Sequence, residues 1–154
     1  MNTLRMLTLI MTLVTSHMAL AGPPETGSSL PPLNIEDRGE LKFSNDDFSF
    51  SPWSSTSLMG GVQVVQYFGA TKGDSEKFKP FTDKLEQTFA PQGVKVTTVL
   101  NMDAALWGTG GFVLSEVKKN KKRYPGSTIV IDEDGVGVKN WGLGKVGSAL
   151  MIID

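Results

Sequence analysis

The sequence predicts an α/β domain with an added N-terminal β-hairpin, on three observations. Short β-branched runs recur at residues 62–68 (VQVVQYF), 94–100 (VKVTTVL), 128–131 and 149–153 (ALMII). Phe78, Phe81, Leu85 and Phe89 recur at spacings of three, four and four residues, the apolar stripe of a helix. Gly60-Gly61, Gly69, Pro91-Gln92-Gly93 and Pro125-Gly126 mark the boundaries between these segments. Strands separated by helices of about ten to fifteen residues are joined by right-handed crossovers and lie parallel.

Each element has its own signal. Residues 22–32 (GPPETGSSLPP) are rich in Pro, Gly and Ser and read as a flexible arm ahead of a domain at 33–154. Residues 33–35 (LNI) and 41–43 (LKF) flank Asp37-Arg38-Gly39-Glu40, which predicts a short hairpin turning there, with a second turn at residues 44–47. Phe48, Phe50 and Trp53 follow on an irregular or extended stretch. Residues 62–68 are apolar enough to form a buried central strand. The next helix takes its cap from Asp74 or Ser75. Pro80 conflicts with an unbroken helix, so either the first turn is irregular or the regular helix begins at Pro80. Residues 94–100 form a strand with Lys95 and Thr97 outward. A glycine-rich loop holding Asp103 and Trp107 leads to a second helix from Gly111 or Phe112 to Arg123, with Val113 and Val117 inward. Residues 128–131 are a strand, 132–135 its turn, 136–143 a helical turn or loop, and 149–153 a last strand.

The N-terminus reads as an address. Arg5 precedes the apolar run 6–14, and Ala19-Leu20-Ala21 places small residues before Gly22, the pattern of a secretory signal (1–21) cleaved after Ala21. The run is shorter than the roughly 20 residues that span a bilayer. No membrane span is therefore expected, and the mature protein is exported, to the periplasm in a Gram-negative cell. Composition then narrows the chemistry. The 154 residues include no Cys and one His, and that His is His17, inside the expected leader. Without thiol or imidazole, the mature chain has no Cys or Ser-His-Asp nucleophile and no Cys- or His-based metal site. A formal net charge of −1 gives no field that draws in nucleic acid.

Taken in order, these pieces resemble a thioredoxin-like domain of the extracytoplasmic, peroxiredoxin-related branch. The resemblance rests on strand 62–68 running into a loop and a long helix, on Ile129 to Gly135 followed by Trp141-Gly142-Leu143, and on Ser148 to Asp154. More narrowly, the chain resembles the YtfJ family of uncharacterised periplasmic proteins, through Ile35 to Leu41, Asn45 to Phe50, Trp53, Thr97 to Asn101, Gly108 to Val113 and Asn120 to Pro125. That resemblance implies a three-layer sandwich. It also implies a further strand and helix after Asp154, so the chain is expected to be truncated and its last strand to have an open edge prone to association. The sequence departs from active thioredoxins where their redox pair belongs. Here that loop is Gly69-Ala70-Thr71-Lys72-Gly73, and the facing position, usually a proline, is Gly147 or Ser148. No catalytic residue, cofactor or metal is expected.

The expected function is binding, of a periplasmic protein or small ligand, at Ala70, Thr71, Lys72, Gly73, Gly147 and Ser148. The helix N-terminus and Lys72 together could hold an anion. The alternatives are non-thiol catalysis at 69–73 or an accessory role in the envelope. Other motifs read as structural. The basic run Lys118, Lys119, Lys121, Lys122 and Arg123 complements a helix C-terminus. Asp132, Asp134 and Gly135 form a turn rather than a calcium loop, lacking the distal ligands such a loop needs. Neighbouring acids such as Asp132 and Glu133 are too close together to flank a scissile bond, and Asp103 with Trp107 is a weak candidate for a ligand shelf.

Overall fold

A computed structural model describes residues 23–144 and 147–154. The expected leader at 1–21 lies outside them. The elements are β1 (Asn34–Ser44), β2 (Asp47–Ser54), β3 (Gln63–Gly69), α1 (Lys72–Thr88), β4 (Lys95–Asn101), α2 (Gly110–Arg123), β5 (Thr128–Asp132), α3 (Val136–Asn140) and β6 (Ala149–Ile153). The strands form one mixed sheet in the order β2-β1-β5-β4-β3-β6. β3, β4 and β5 are parallel at its centre, and β1 and β6 flank them antiparallel.

The two faces of the sheet follow from the alternation of side chains along each strand. On one face Val65, Tyr67, Val99 and Val130 pack with Leu33, Ile35, Trp53, Leu58 and Trp141. Leu30, Val136, Val138 and Leu143 close over this layer, so the end of the Pro-rich arm and α3 form its lid. The indole N–H of Trp141 donates to the Pro31 carbonyl at 2.8 Å, tying the arm down. On the other face lie both long helices. Leu85 of α1 packs on Val64 and Val96, and Val113 and Val117 of α2 pack on Leu100, Ile129 and Ile131. This layering arises because both crossovers, β3-α1-β4 and β4-α2-β5, step in the same direction along the sheet.

Several local expectations are corrected. The signal at Asp37 to Glu40 is not a hairpin turn. β1 runs on through it as a bulge, its register against β2 slipping between Ile35 and Glu40. Arg38 and Gly39 take positive φ there, and Pro52, which has no N–H to offer a ladder, lies opposite. The hairpin turns at Asn45-Asp46 instead, both at positive φ, as a two-residue loop between twisted strands requires. The stretch holding Phe48, Phe50 and Trp53 is regular strand β2, with Trp53 buried.

Helix α1 is continuous from Lys72 to Thr88 with Pro80 inside it. It is capped by Thr71, not by Asp74 or Ser75: the Thr71 hydroxyl accepts from the Asp74 N–H at 3.1 Å. Thr97 is buried rather than outward. Gln66, also fully buried on β3, accepts at Oε1 from the Thr82 hydroxyl of α1 at 2.7 Å, so one polar contact locks helix to sheet inside an apolar layer.

Candidate functional site

The carboxyl ends of the central strands come into register at Gly69, Asn101 and Asp132, each the last residue of its strand. In α/β sheets this edge is where ligands bind. The loop after β3 starts from a tight seat, since a Cβ on Gly69 would lie 2.8 Å from the Asp74 carboxylate and 2.9 Å from Ala104. The Ala70 N–H donates to the Asn101 carbonyl at 2.8 Å. The Thr71 hydroxyl accepts from the Asp74 N–H and donates to the Asp74 carboxylate at 3.0 Å. The N-terminus of α1 therefore carries its own acidic group in the first turn. Lys72 extends into solvent 3.6 Å from Glu76, and Gly73 has open space around it. On the far side, β6 pairs with β3 up to Tyr67 opposite Ala149. Gly147 and Ser148 precede β6, beyond the last paired residue, with Gly147 at φ +58.

Asp132 has a different role from the one its sequence position implies. Read as a turn acid, it is instead fully buried. Its Oδ1 accepts from the Val136 N–H and its Oδ2 from the Gly137 N–H, both at 2.8 Å. Oδ2 also accepts from the Tyr67 hydroxyl at 2.8 Å, and that hydroxyl accepts from the Val138 N–H at 3.2 Å. Burial, followed by the adjacent Asp132, pushes the Tyr67 phenol far above its ordinary ionisation range. The carboxylate thus acts as an internal cap on the first turn of α3. Gly135 precedes that turn at φ +63, where a Cβ would crowd Asn101 and Asp103.

The remaining acids at this edge are already engaged or stand apart. Glu133 pairs with Arg38 at 2.9 Å. A cleft of about 200 Å³ beside them is lined by residues including Asn34, Asp37, Glu133 and Asp134. Asp103 lies against Gly135, whereas Trp107 projects fully into solvent, so the two do not build a shelf. Among the described residues no three His, Cys, Asp or Glu side chains converge as a metal set.

The chain matches, over residues 25–154, the model of a family described as "Bacterial protein of unknown function (YtfJ_HI0045)". The chain belongs to this family. It is 36% identical over 153 residues to the "Uncharacterized protein YtfJ" of Escherichia coli (strain K12), covering 99% of this chain and 83% of that protein. It is 31% identical over 151 residues to an "Uncharacterized protein" of Haemophilus influenzae (strain ATCC 51907 / DSM 11121 / KW20 / Rd), covering 97% of this chain and 82% of the relative.

In this YtfJ-family chain, the most unusual surface feature at the carboxyl edge was only partly visible in the sequence. Leu106, Trp107 and Phe112 are 74%, 100% and 71% exposed, on the segment that leaves β4 and enters α2. Single exposed apolar residues are ordinary, but three large ones on one glycine-rich tip are not. The sequence signal was the run Leu-Trp-Gly-Thr-Gly-Gly-Phe, whose glycines supply neither packing nor propensity for an ordered core. The basic run of α2 shows the opposite behaviour, with four of its side chains engaged within the chain and Lys121 buried. Lys118 and Lys122 lie over the Phe48 and Phe43 rings at 5.2 Å. Lys119 pairs with Glu116 at 2.6 Å. Lys121 is buried and donates to the carbonyls of Pro125 and Ser127.

Proposed function

We propose that this chain is a non-catalytic binding protein of the periplasm, exported by a leader cleaved after Ala21, with a thioredoxin-like, peroxiredoxin-related fold. On this reading it recognises a protein partner through the carboxyl edge of its sheet. The tip at residues 106–112 carries the proposal, because a fully exposed Trp flanked by exposed Leu and Phe is the composition of an interface anchor. The fold assignment is supported by the three parallel central strands, by antiparallel β6 beside β3, and by the β3-loop-α1 unit. In that unit the loop 69–73 stands where the family resemblance places a redox pair, and it contains no thiolate for disulfide exchange. Thr71 is spent on capping Asp74, and Lys72 points to solvent beside Glu76. On this reading the loop is a rim of the binding edge, with Thr71, Lys72 and Gly73 at its surface, Ala70 buried beneath them, and Gly147 and Ser148 leading into β6.

The test is cross-linking in the periplasm with the native chain and with Trp107→Ala. One stoichiometric protein should be recovered with the native chain and lost with the variant, whose stability should stay within about 0.5 kcal/mol because Trp107 packs on nothing. Equal capture by both would overturn the role of the tip. Recovery of none, with a small molecule retained instead, would redirect the reading to a ligand. Measurable thiol-disulfide exchange by the purified protein would contradict it outright.

A further inference from the structure

A groove at the opposite end of the sheet, where β4 and β5 begin, has no part in the binding role proposed above. It lies between the C-terminal ends of α1 and α2 and has a volume of about 490 Å³, within the roughly 300–1,000 Å³ typical of small-molecule sites. Val94 and Val96 form an apolar floor, with Val96 buried, and Tyr124 and Pro125 face them from the exit of α2. Two charged side chains complete the lining, Glu86 from α1 and Arg123 from α2, while Lys95 alternates with Val94 and Val96 and contributes the strand edge. Among the described residues neither Glu86 nor Arg123 enters an ion pair. Glu86 is half-buried, and loss of water raises its carboxyl above the ordinary value. The neighbouring carbonyls of Pro125 and Ser127 are already taken by Lys121.

This combination selects a ligand class. A simple anion would meet Glu86 and a simple cation would meet Arg123. An uncharged apolar molecule would strip water from both and return nothing. A ligand bearing both charges on an apolar body satisfies both groups. We propose that this groove binds short apolar peptides with free termini, the amine on Glu86, the carboxylate on Arg123, and the side chains on Val94, Val96 and Tyr124. The volume exceeds what one amino acid fills, which favours a dipeptide or tripeptide.

Titration of the protein with the dipeptide Leu-Phe, followed by amide resonances of Gly93, Tyr124 and Gly126, tests this. Saturable shifts are expected, with acetyl-Leu-Phe and Leu-Phe amide each binding about tenfold more weakly. Glu86→Gln should weaken Leu-Phe but leave acetyl-Leu-Phe unchanged, and Arg123→Gln should weaken Leu-Phe but leave the amide unchanged. These crossed losses separate charge recognition from a general change in the groove. Equal affinity for free and blocked peptides, or no shift at these amides up to roughly 10 mM, would overturn the proposal.

Discussion

The Tyr67 hydroxyl donates a 2.8 Å hydrogen bond to Oδ2 of Asp132, tying β3 to the carboxyl end of β5 across the intervening β4. Both side chains are fully buried, and both make further bonds to the first turn of α3. The pair therefore decides where α3 and Trp141 sit. Tyr67→Phe removes a donor to the carboxylate and an acceptor for the Val138 N–H, and should destabilise by about 1–3 kcal/mol at neutral pH. Because the folded phenol ionises far above the unfolded value of about 10, the native protein keeps this contribution below pH 10. It loses it as pH rises further, at up to about 1.4 kcal/mol per pH unit. Urea melts of native and Tyr67→Phe protein from pH 7 to 11 should show the gap narrowing only above pH 10. A constant gap would mean that the phenol is not held neutral by the fold.

Gly137 packs edge-on to the same ring. A Cβ there would overlap Tyr67 at Cε2 and Cζ, inside a layer that also holds Trp141. Gly137→Ala is expected to cost at least about 1–3 kcal/mol by overpacking. Thermal unfolding would show this, and restoration by Tyr67→Leu in the double variant would identify the clash as the cause.

Lys121 is the buried member of the basic run. Its amine holds the Pro125 and Ser127 carbonyls at the exit of α2, and burial lowers its ionisation below the usual lysine range. Lys121→Met keeps the packed stem and removes the donors, so the urea midpoint should fall by an amount worth about 1–2 kcal/mol with an unchanged slope. Lys119→Met, on the exposed face, should leave the midpoint where it is.

Among the described residues β6 has no partner on its outer side, and Leu150 and Ile152 are exposed on the face it shares with the helices. An open apolar edge of this kind templates pairing with another chain. Sedimentation of the purified protein should show association that rises with concentration and that Ile152→Lys abolishes. A native protein that stays monomeric at high concentration would show that this edge is protected.

The carboxyl edge was legible in part. The loop 69–73 is marked by glycine and a change of periodicity, whereas only the family resemblance set residues 147–148 opposite it. Asp132 and Tyr67 could not be paired from sequence, because 65 residues separate them and Asp-Glu-Asp-Gly reads as a surface turn. The groove at the other end was illegible for the same reason. Glu86, Val96 and Arg123 belong to three elements and line one groove only when both crossovers close.

The amino-acid sequence by itself determined the alternation of strands and helices, the family, and the absence of Cys. Those properties depend on local patterning and composition, which survive without knowledge of contacts. Tertiary structure decided that Asp37 to Glu40 is a bulge, that α1 continues through Pro80, that Thr97 and Lys121 face inward, and that Trp107 faces out. Each of these runs against a local preference. Each is settled by what lies opposite: strand β2 beside the bulge, the Thr71 cap and sheet contacts along α1, carbonyls around Lys121, and solvent around Trp107. Local rules weigh about a kilocalorie per residue, and packing across the sheet outweighs them.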